Sequence, residues 1–309
     1  MEQVKFTLGS DPELFLRDSK SKQLRSAVPI IPEGKGDGRK LDSTGQNCVI
    51  HDNVLIEFNT LPKTDSDGFV TNIASVLGNI QKIVAKSGLE LHLQASADFP
   101  EDQLCAESRI FGCDPDFGVY PTPGMNYIDD TAAEQPFRSA GGHLHIGKHK
   151  GNPELNEMLD LEDGSGKVRV VKAMDIFIGI ISVFLEKDST AAARRDLYGK
   201  AGAHRPKPYG VEYRACSPWW LATPEHTKLV YALTNAALAV CLDEEDLEDL
   251  SDDIGGEDEI QSIINDSREN DAFAVFERNL MPILGDETNA LILSLHEREA
   301  EDFRSSWKI

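Results

Sequence analysis

Four times along the chain, two polar residues stand two positions apart inside a run that otherwise reads as a β-strand. They are Asp11 and Glu13 in GSDPELFL, Glu57 and Asn59 in NVLIEFN, His143 and His145 in GGHLHIG, and Glu212 and Arg214 in YGVEYRA. A strand carries residues i and i+2 on the same face, so each pair sends both functional groups one way while the apolar neighbours point the other. This spacing constrains the fold strongly: it asks for a sheet with one polar face and one face packed on a core.

The rest of the pattern fits such a sheet. Short runs at 4–8, 13–17, 54–59, 89–95, 143–147 and 211–215 read as strands. Between 69 and 84, Phe69, Ile73, Val76, Leu77, Ile80, Ile83 and Val84 recur at spacings of three and four, the stripe of an amphipathic helix that Gly88 is placed to stop. Thr223-Pro224-Glu225 has the chemistry of a helix start, and that helix is expected to run to about Leu242. A further helix is expected over 168–186. Glycine and proline gather in 29–45 and 112–142, where loops are expected. Strands mixed with helices without regular alternation predict an α+β domain on a largely antiparallel sheet, polar on its active face and covered by helices on the other. With no internal repeat and no linker, residues 1–309 are expected to form one domain whose part from about 223 onward is mainly helical.

The chain carries 53 acidic and 31 basic residues, a formal charge of -22. A broad nucleic-acid-binding face is therefore disfavoured, because neutralising phosphates takes clustered Lys and Arg. The segment 243–259 holds eleven Asp or Glu and no Lys or Arg, and is expected to be a solvated loop or frayed helix. Five cysteines without a C-x-x-C pair point to a reducing compartment. The most apolar stretch, 170–185, is interrupted by Lys172 and Asp175, so it reads as a buried helix and not as a membrane span. The expected location is the cytoplasm.

Carboxylates gathered on one sheet face repel unless cations hold them, and hard divalent ions bound by Asp and Glu oxygens are the usual solution. Carboxylates with one or two imidazoles suit Mg²⁺ or Mn²⁺ better than zinc, although zinc hydrolases also combine His with Asp or Glu. Taken singly, each pair has an ordinary reading: a water-facing edge residue for Glu57, a turn for Asp11-Pro12, a surface strand for His-x-His, and a same-face ion pair for Glu212 and Arg214. Four together argue for a site. Between the last two pairs runs ARRDLYGKAGAHRPKPYGVEYR, with Arg194, Arg195, Lys200, Arg205 and Lys207. It reads either as a solvated loop or as a phosphate clamp of planar guanidinium forks and lysine point charges.

These residues resemble a known family. RSAGGHLHIG (138–147) looks like the glycine-rich His-x-His segment of glutamine synthetases, VEYRACSPWWL (211–221) like their Glu-Tyr/Phe-Arg strand, and LIEFN like a metal-binding Glu strand. GSDPELFL together with CDPDFGVY (113–120) resembles more narrowly the phage-encoded carboxylate-amine ligases of type 2, or amidoligases. The resemblance spans about 8 to 221 and implies a glutamine-synthetase-like catalytic sheet. It also implies ATP-dependent amide formation, in which ATP phosphorylates a carboxylate and an amine attacks the acyl phosphate. By position, Asp11 or Glu13, Glu57, His143 and Glu212 would hold two divalent ions, and His145 would sit near ATP. Arg214 would stabilise the transferring phosphoryl group beside the catalytic carboxylates Glu57 and Glu212. Arg195, Lys200 and Arg205 would add phosphate contacts, while Asp114, Asp116 and Tyr120 would line the substrate side, where the alternative is a tight turn. The first strand departs from the family's Glu-x-Glu, and the further upstream carboxylate falls on Asp42 or Asp52. The family's dodecameric ring does not follow, since Asp11-Pro12-Glu13 comes almost at the start, and the oligomeric state stays open. Two rivals remain: a metal-dependent hydrolase using His143, His145 and Glu57, which would turn over without ATP, and an inactive phage binding or structural protein.

Overall fold

The computed structural model describes residues 3–34, 36, 38–106, 116–120, 124–126 and 135–309. Its strands form two larger antiparallel sheets and one two-stranded ribbon. The first sheet runs in the order Thr7–Ser10, Leu144–Gly147, Gly210–Tyr213, His204–Lys207, Asp116–Gly118, Gly124–Asn126. The second runs Leu24–Arg25, Glu13–Asp18, Leu55–Asn59, Cys48–Asp52, Arg39–Lys40, with Leu89–His92 also pairing Glu13–Asp18. The two meet at Asp11-Pro12. Thr60 N–H donates to Ser10 O at 2.9 Å and Phe58 N–H to Pro12 O at 3.2 Å, so the chain after Asn59 continues alongside both strands.

Pleating separates the faces as the sequence requires. Leu144, Ile146, Val211 and Tyr213 are fully buried, and they join one hydrophobic core that runs from Phe6 to Trp307. The helix Ser165–Met174 packs directly on Gly210–Tyr213, and Ser66–Val84 and Pro224–Cys241 pack on each other in the same core. The α+β class with helices behind a polar sheet face is thus as expected.

Local chemistry sets the helix ends. Asp65 accepts from Gly68 N–H to start Ser66–Val84, and Gly88 with φ +73° ends the short turn that follows it. Thr223 accepts from His226 N–H at the start of Pro224–Cys241. The helix expected over 168–186 runs from Ser165 to Leu185 but contains a π-turn, Asp175–Gly179.

One expectation is corrected. The acidic segment 243–259 is not a loop: it forms the helix Glu244–Ile254 and the first turn of Glu257–Asn265, separated by Gly255 and Gly256 at φ +120° and +86°. The apolar residues of these two helices, Leu247, Leu250, Ile254, Ile260, Ile263 and Ile264, keep helical spacing and are buried, while acids crowd both first turns, where the helix dipole favours them. Among the described residues, no helix is long and apolar enough to cross a membrane.

Candidate functional site

The polar face of the first sheet is built by register. His145 lies opposite Glu212 on one side and Gly9 on the other, and Arg205 lies opposite Glu212 from the third neighbour. One row across four strands therefore carries an imidazole, a carboxylate and a guanidinium, and Gly9 leaves its place in the row without a side chain. Asp11, leaving the end of the Thr7–Ser10 strand, completes the cluster. Among the described residues, Asp11, His145 and Glu212 form one group whose ligand atoms lie within 4.8 Å of one another, and Glu13, Asp52 and Glu57 form a second.

In the first group, His145 Nε2 lies 2.9 Å from Asp11 Oδ1, and Lys207 Nζ lies 2.8 Å from Glu212 Oε2. These buried atoms are close but not aligned, since Asp11 Oδ1, His145 Nε2 and Glu212 Oε2 all lack a hydrogen bond of acceptable geometry. Three donor atoms that converge without satisfying one another fit a divalent cation, and two carboxylates with one imidazole are a donor set that Mg²⁺ or Mn²⁺ accepts. Tyr209 fixes the ring from behind: its hydroxyl sits 2.6 Å from His145 Nδ1, and the two rings stack with centroids 5.9 Å apart. Holding one imidazole nitrogen this way aims the other at the carboxylates.

Burial works to raise both acids, yet the imidazoles overcome it. His145 and His143 hold the Asp11 carboxyl well below the usual carboxylate range. Glu212, fully buried, is drawn down to about 2 against burial and Asp11, by His143, Arg214 and His145. Around it stand Arg214, whose Nη1 donates to Glu212 Oε1, and Arg205 at 3.5 Å.

The second group joins three neighbouring strands. Glu13 and Glu57 are cross-strand partners, and Asp52 comes from the end of the next strand. Gly141 N–H donates to Glu13 Oε2 at 2.7 Å. Burial, and after it the charge of Asp52, pushes Glu13 up to about 8. A carboxyl so placed calls for a cation.

The sequence expectation put His143 among the ligands and His145 beside the nucleotide, whereas the structure puts His145 in the converging group. His143 stands just before the strand, with Nδ1 3.3 Å from Asp11 Oδ1 and 3.7 Å from Glu212 Oε1. Its Nε2 is 3.3 Å from the Tyr198 hydroxyl, to which Arg214 Nη2 donates. Burial and then Arg214 bring His143 down to about 4, so it is neutral near pH 7. The Tyr198 ring lies between two guanidinium groups, with the Arg194 and Arg214 Cζ atoms 5.4 and 5.5 Å from its centroid. Tyr198 and Tyr209 are site residues that the sequence reading missed.

Other expected contacts fall elsewhere. Arg194 spends its guanidinium on the carbonyls of Ala140, Ala215 and Cys216 at 2.7–2.8 Å, pinning the Gly141-Gly142 turn to the end of the Glu212 strand. Arg195 pairs with buried Glu186 at 3.0 Å and with Ser267 Oγ at 2.9 Å, so its fork is committed away from the carboxylates. Lys200 is exposed. Asp42 caps its own loop through Thr44 and Gly45, which leaves Asp52 as the upstream carboxylate. Asp114 lies outside the described residues, and Asp116 lies in a strand at the far side of the first sheet. Tyr120 faces Asp175 and Lys172, whose Nζ is 6.0 Å from its ring. A separate cavity of about 450 Å³, lined by Glu186, Ser217, Trp219, His226, Arg298 and Arg304, includes none of the clustered carboxylates.

A family model described as phage phiEco32-like COOH.NH2 ligase-type 2 matches residues 127–253, the span that holds His143, His145, Glu212 and Arg214. The chain is thus similar to the carboxylate-amine ligases of that type, as the motifs imply. The solved structures that resemble it include two ligase-related chains. A bifunctional glutathione synthetase from Pasteurella multocida is 9% identical at a TM-score of 0.46, over 98% of this chain and 50% of that one. A structure described as a novel glutamine synthase homolog is 12% identical at a TM-score of 0.36, over 95% and 71% of the two chains. The present chain spans half the length of the glutathione synthetase. No curated protein sequence matches it.

Proposed function

We propose that this chain is an ATP-dependent carbon-nitrogen ligase that joins a carboxylate to an amine through an acyl phosphate. One observation carries the reading: a carboxylate-imidazole group on the first sheet and a carboxylate-only group on the second adjoin where the sheets meet at Asp11-Pro12, and Arg214, Arg205 and Lys207 gather at Glu212, so anionic phosphate and divalent cation can be held side by side. Mg²⁺ or Mn²⁺ held by Asp11, His145 and Glu212, with a second ion at Glu13, Asp52 and Glu57, would neutralise those carboxylates and the phosphates of the nucleotide.

In the first step a substrate carboxylate oxygen attacks the γ-phosphorus of ATP and the bond to the β-bridging oxygen breaks, releasing ADP. In the second, the amine attacks the acyl carbon, phosphate leaves, and the nitrogen gives up a proton. Arg214 is held by Glu212 and Tyr198 and can meet charge on the transferring group with a fixed planar fork. Lys207 and Arg205 supply further positive charge. The whole of 1–309 acts as one catalytic unit in the cytoplasm, where ATP is abundant, and the substrates are small amino acids, peptides or protein side chains.

The test is ADP release by the purified protein with Mg²⁺ or Mn²⁺, across a pool of carboxylates and amines, with the product weighed by mass spectrometry. Amine-stimulated ADP release and a condensation product are expected. Metal-dependent amide hydrolysis without ATP would replace this reading with the hydrolase, and no turnover or ATP binding at all would leave the inactive module.

A further inference from the structure

Asp175 is a fully buried acid in the middle of a hydrophobic helical run, and nothing in the ligase chemistry uses it. It opens the π-turn Asp175–Gly179, an insertion that interrupts regular helix and recurs at functional sites. Burying a carboxyl among Ile176, Phe177 and Ile178 is costly unless its hydrogen bonds are made. Tyr213 donates its hydroxyl to Asp175 Oδ1 at 2.7 Å, and Tyr120 and the Gly202 N–H also approach this carboxylate.

Those three groups come from three segments of the first sheet and its connections, two of them carrying site residues. Tyr213 stands between Glu212 and Arg214 on the opposite face of their strand. Gly202 lies in the turn that leads from Tyr198 and Lys200 to Arg205. Tyr120 lies two residues past the Asp116–Gly118 strand. Two glycines keep the junction open. A Cβ at Gly179 would lie 3.1 Å from the Tyr213 hydroxyl, 3.5 Å from Asp175 Oδ1 and 2.7 Å from Ile264 Cδ1. At Gly202, with φ +79°, it would lie 2.7 Å from Val119 Cγ2 and 2.8 Å from Tyr120 Cδ2.

We propose that Asp175 is a positioning residue for the ligase reaction, tying the Glu212–Arg214 strand, the basic turn and the Tyr120 segment together from behind the sheet. The inference rests on the ligase reading. Its effect is exerted on placement: a strand anchored through Tyr213 keeps Arg214 and Glu212 at a fixed angle to the basic turn, and small misplacements of such groups are felt in turnover before they are felt in binding.

The experiment compares wild type with Asp175→Asn, Tyr213→Phe and the double variant, reading amine-dependent kcat, the KM for ATP, Mn²⁺ binding by titration, and Tm. The expected result is a kcat about tenfold lower in each single variant, with the KM for ATP and Mn²⁺ binding nearly unchanged. The double variant should fall no further than the singles, because both changes act on the same tie: Asn replaces the carboxylate acceptor with a weaker amide oxygen, and Phe removes the donor. A kcat in Asp175→Asn within about twofold of wild type, additive losses in the double variant, or a loss of kcat that only follows loss of folded protein would overturn the proposal. If Asp175→Asn does not fold, Tyr213→Phe alone decides, since it removes one hydroxyl and leaves the ring. Wild type without amine-dependent ADP release would refute the ligase reading itself and this inference with it, an outcome plainly different from an active wild type with indifferent variants.

Discussion

Asp11 and Glu13 are two residues apart, yet they serve two groups with opposite charge balance. Asp11 turns to His145 and Glu212, where Arg214, Arg205 and Lys207 already answer the negative charge, and both acids are held ionised. Glu13 turns to Asp52 and Glu57, where burial and a neighbouring acid favour its neutral form. The cause is the Pro12 junction: Asp11 leaves one sheet and Glu13 enters another. The first group is therefore charged and compensated before any ligand arrives. Near neutral pH the second becomes fully charged if a cation takes the place of the proton on Glu13.

The largest expected effect breaks the first group. Glu212→Gln removes the carboxylate on which Arg214, Lys207 and Arg205 converge, and leaves their positive charges facing one another. Turnover should fall by about 10³ with far-ultraviolet circular dichroism unchanged. Glu57→Gln, in a group where a neighbouring acid raises Glu13, should cost about 10–100-fold. Equal losses in the two variants, measured as kcat at saturating ATP and metal, would erase the functional distinction between the groups.

A smaller effect sharpens the contrast through pH. A carboxyl raised from its usual 4.5 to about 8 by folding favours the folded state below about 4.5, and that advantage is lost as pH rises through about 8. Glu212, drawn down to about 2, acts the other way and only in acid: its contribution is lost as pH falls from about 4.5 through 2. Between pH 5 and 8 the metal-free wild type should therefore lose stability relative to Glu13→Gln. Taking the difference cancels Asp175, which burial raises to about 7 and which contributes a slope of the same sign. Saturating Mn²⁺ should restore the wild type, by about 2.7 kcal/mol at a hundred times its Kd, and more at pH 8 than at pH 6. Parallel Tm profiles for the two proteins with and without Mn²⁺ would show that the carboxylate-only group holds no cation.

Much of this was legible along the chain, for reasons that particular residues make plain. The His143/His145 and Glu212/Arg214 pairs declared a polar face because a strand alternates, and Asp65, Gly88 and Thr223 marked helix ends by their own hydrogen-bonding chemistry. The same period misled at Asp11 and Glu13, where a proline between two sheets ends the alternation. The strand His204–Lys207 has almost no apolar signature, and the helices after Asp243 hid their apolar spacing under a run of acids. Arg194 and Arg195 both look like phosphate ligands in sequence. One satisfies three carbonyls and the other an internal Glu186, because a guanidinium binds any planar acceptor and its partner is decided by tertiary structure.

Tyr198 is the least legible of the site residues and gives the smallest predicted effect. Nothing in RRDLYGK separates it from an ordinary half-buried tyrosine, yet its ring lies between Arg194 and Arg214 and its hydroxyl links Arg214 to His143. Tyr198→Phe keeps the ring on both guanidinium groups and deletes only the hydroxyl, so Arg214 keeps its bond to Glu212 and loses its bond to the hydroxyl. A net hydrogen bond of about 1 kcal/mol corresponds to a roughly fivefold fall in kcat, with the KM for ATP and the Tm nearly unmoved. Tyr198→Ala also removes the ring from between two cations and should cost both turnover and stability. If Tyr198→Phe were as damaging as Glu212→Gln, the hydroxyl would have to act on substrate directly. If it were silent, Glu212 alone would suffice to hold Arg214, and the compensated group would be complete without its tyrosine.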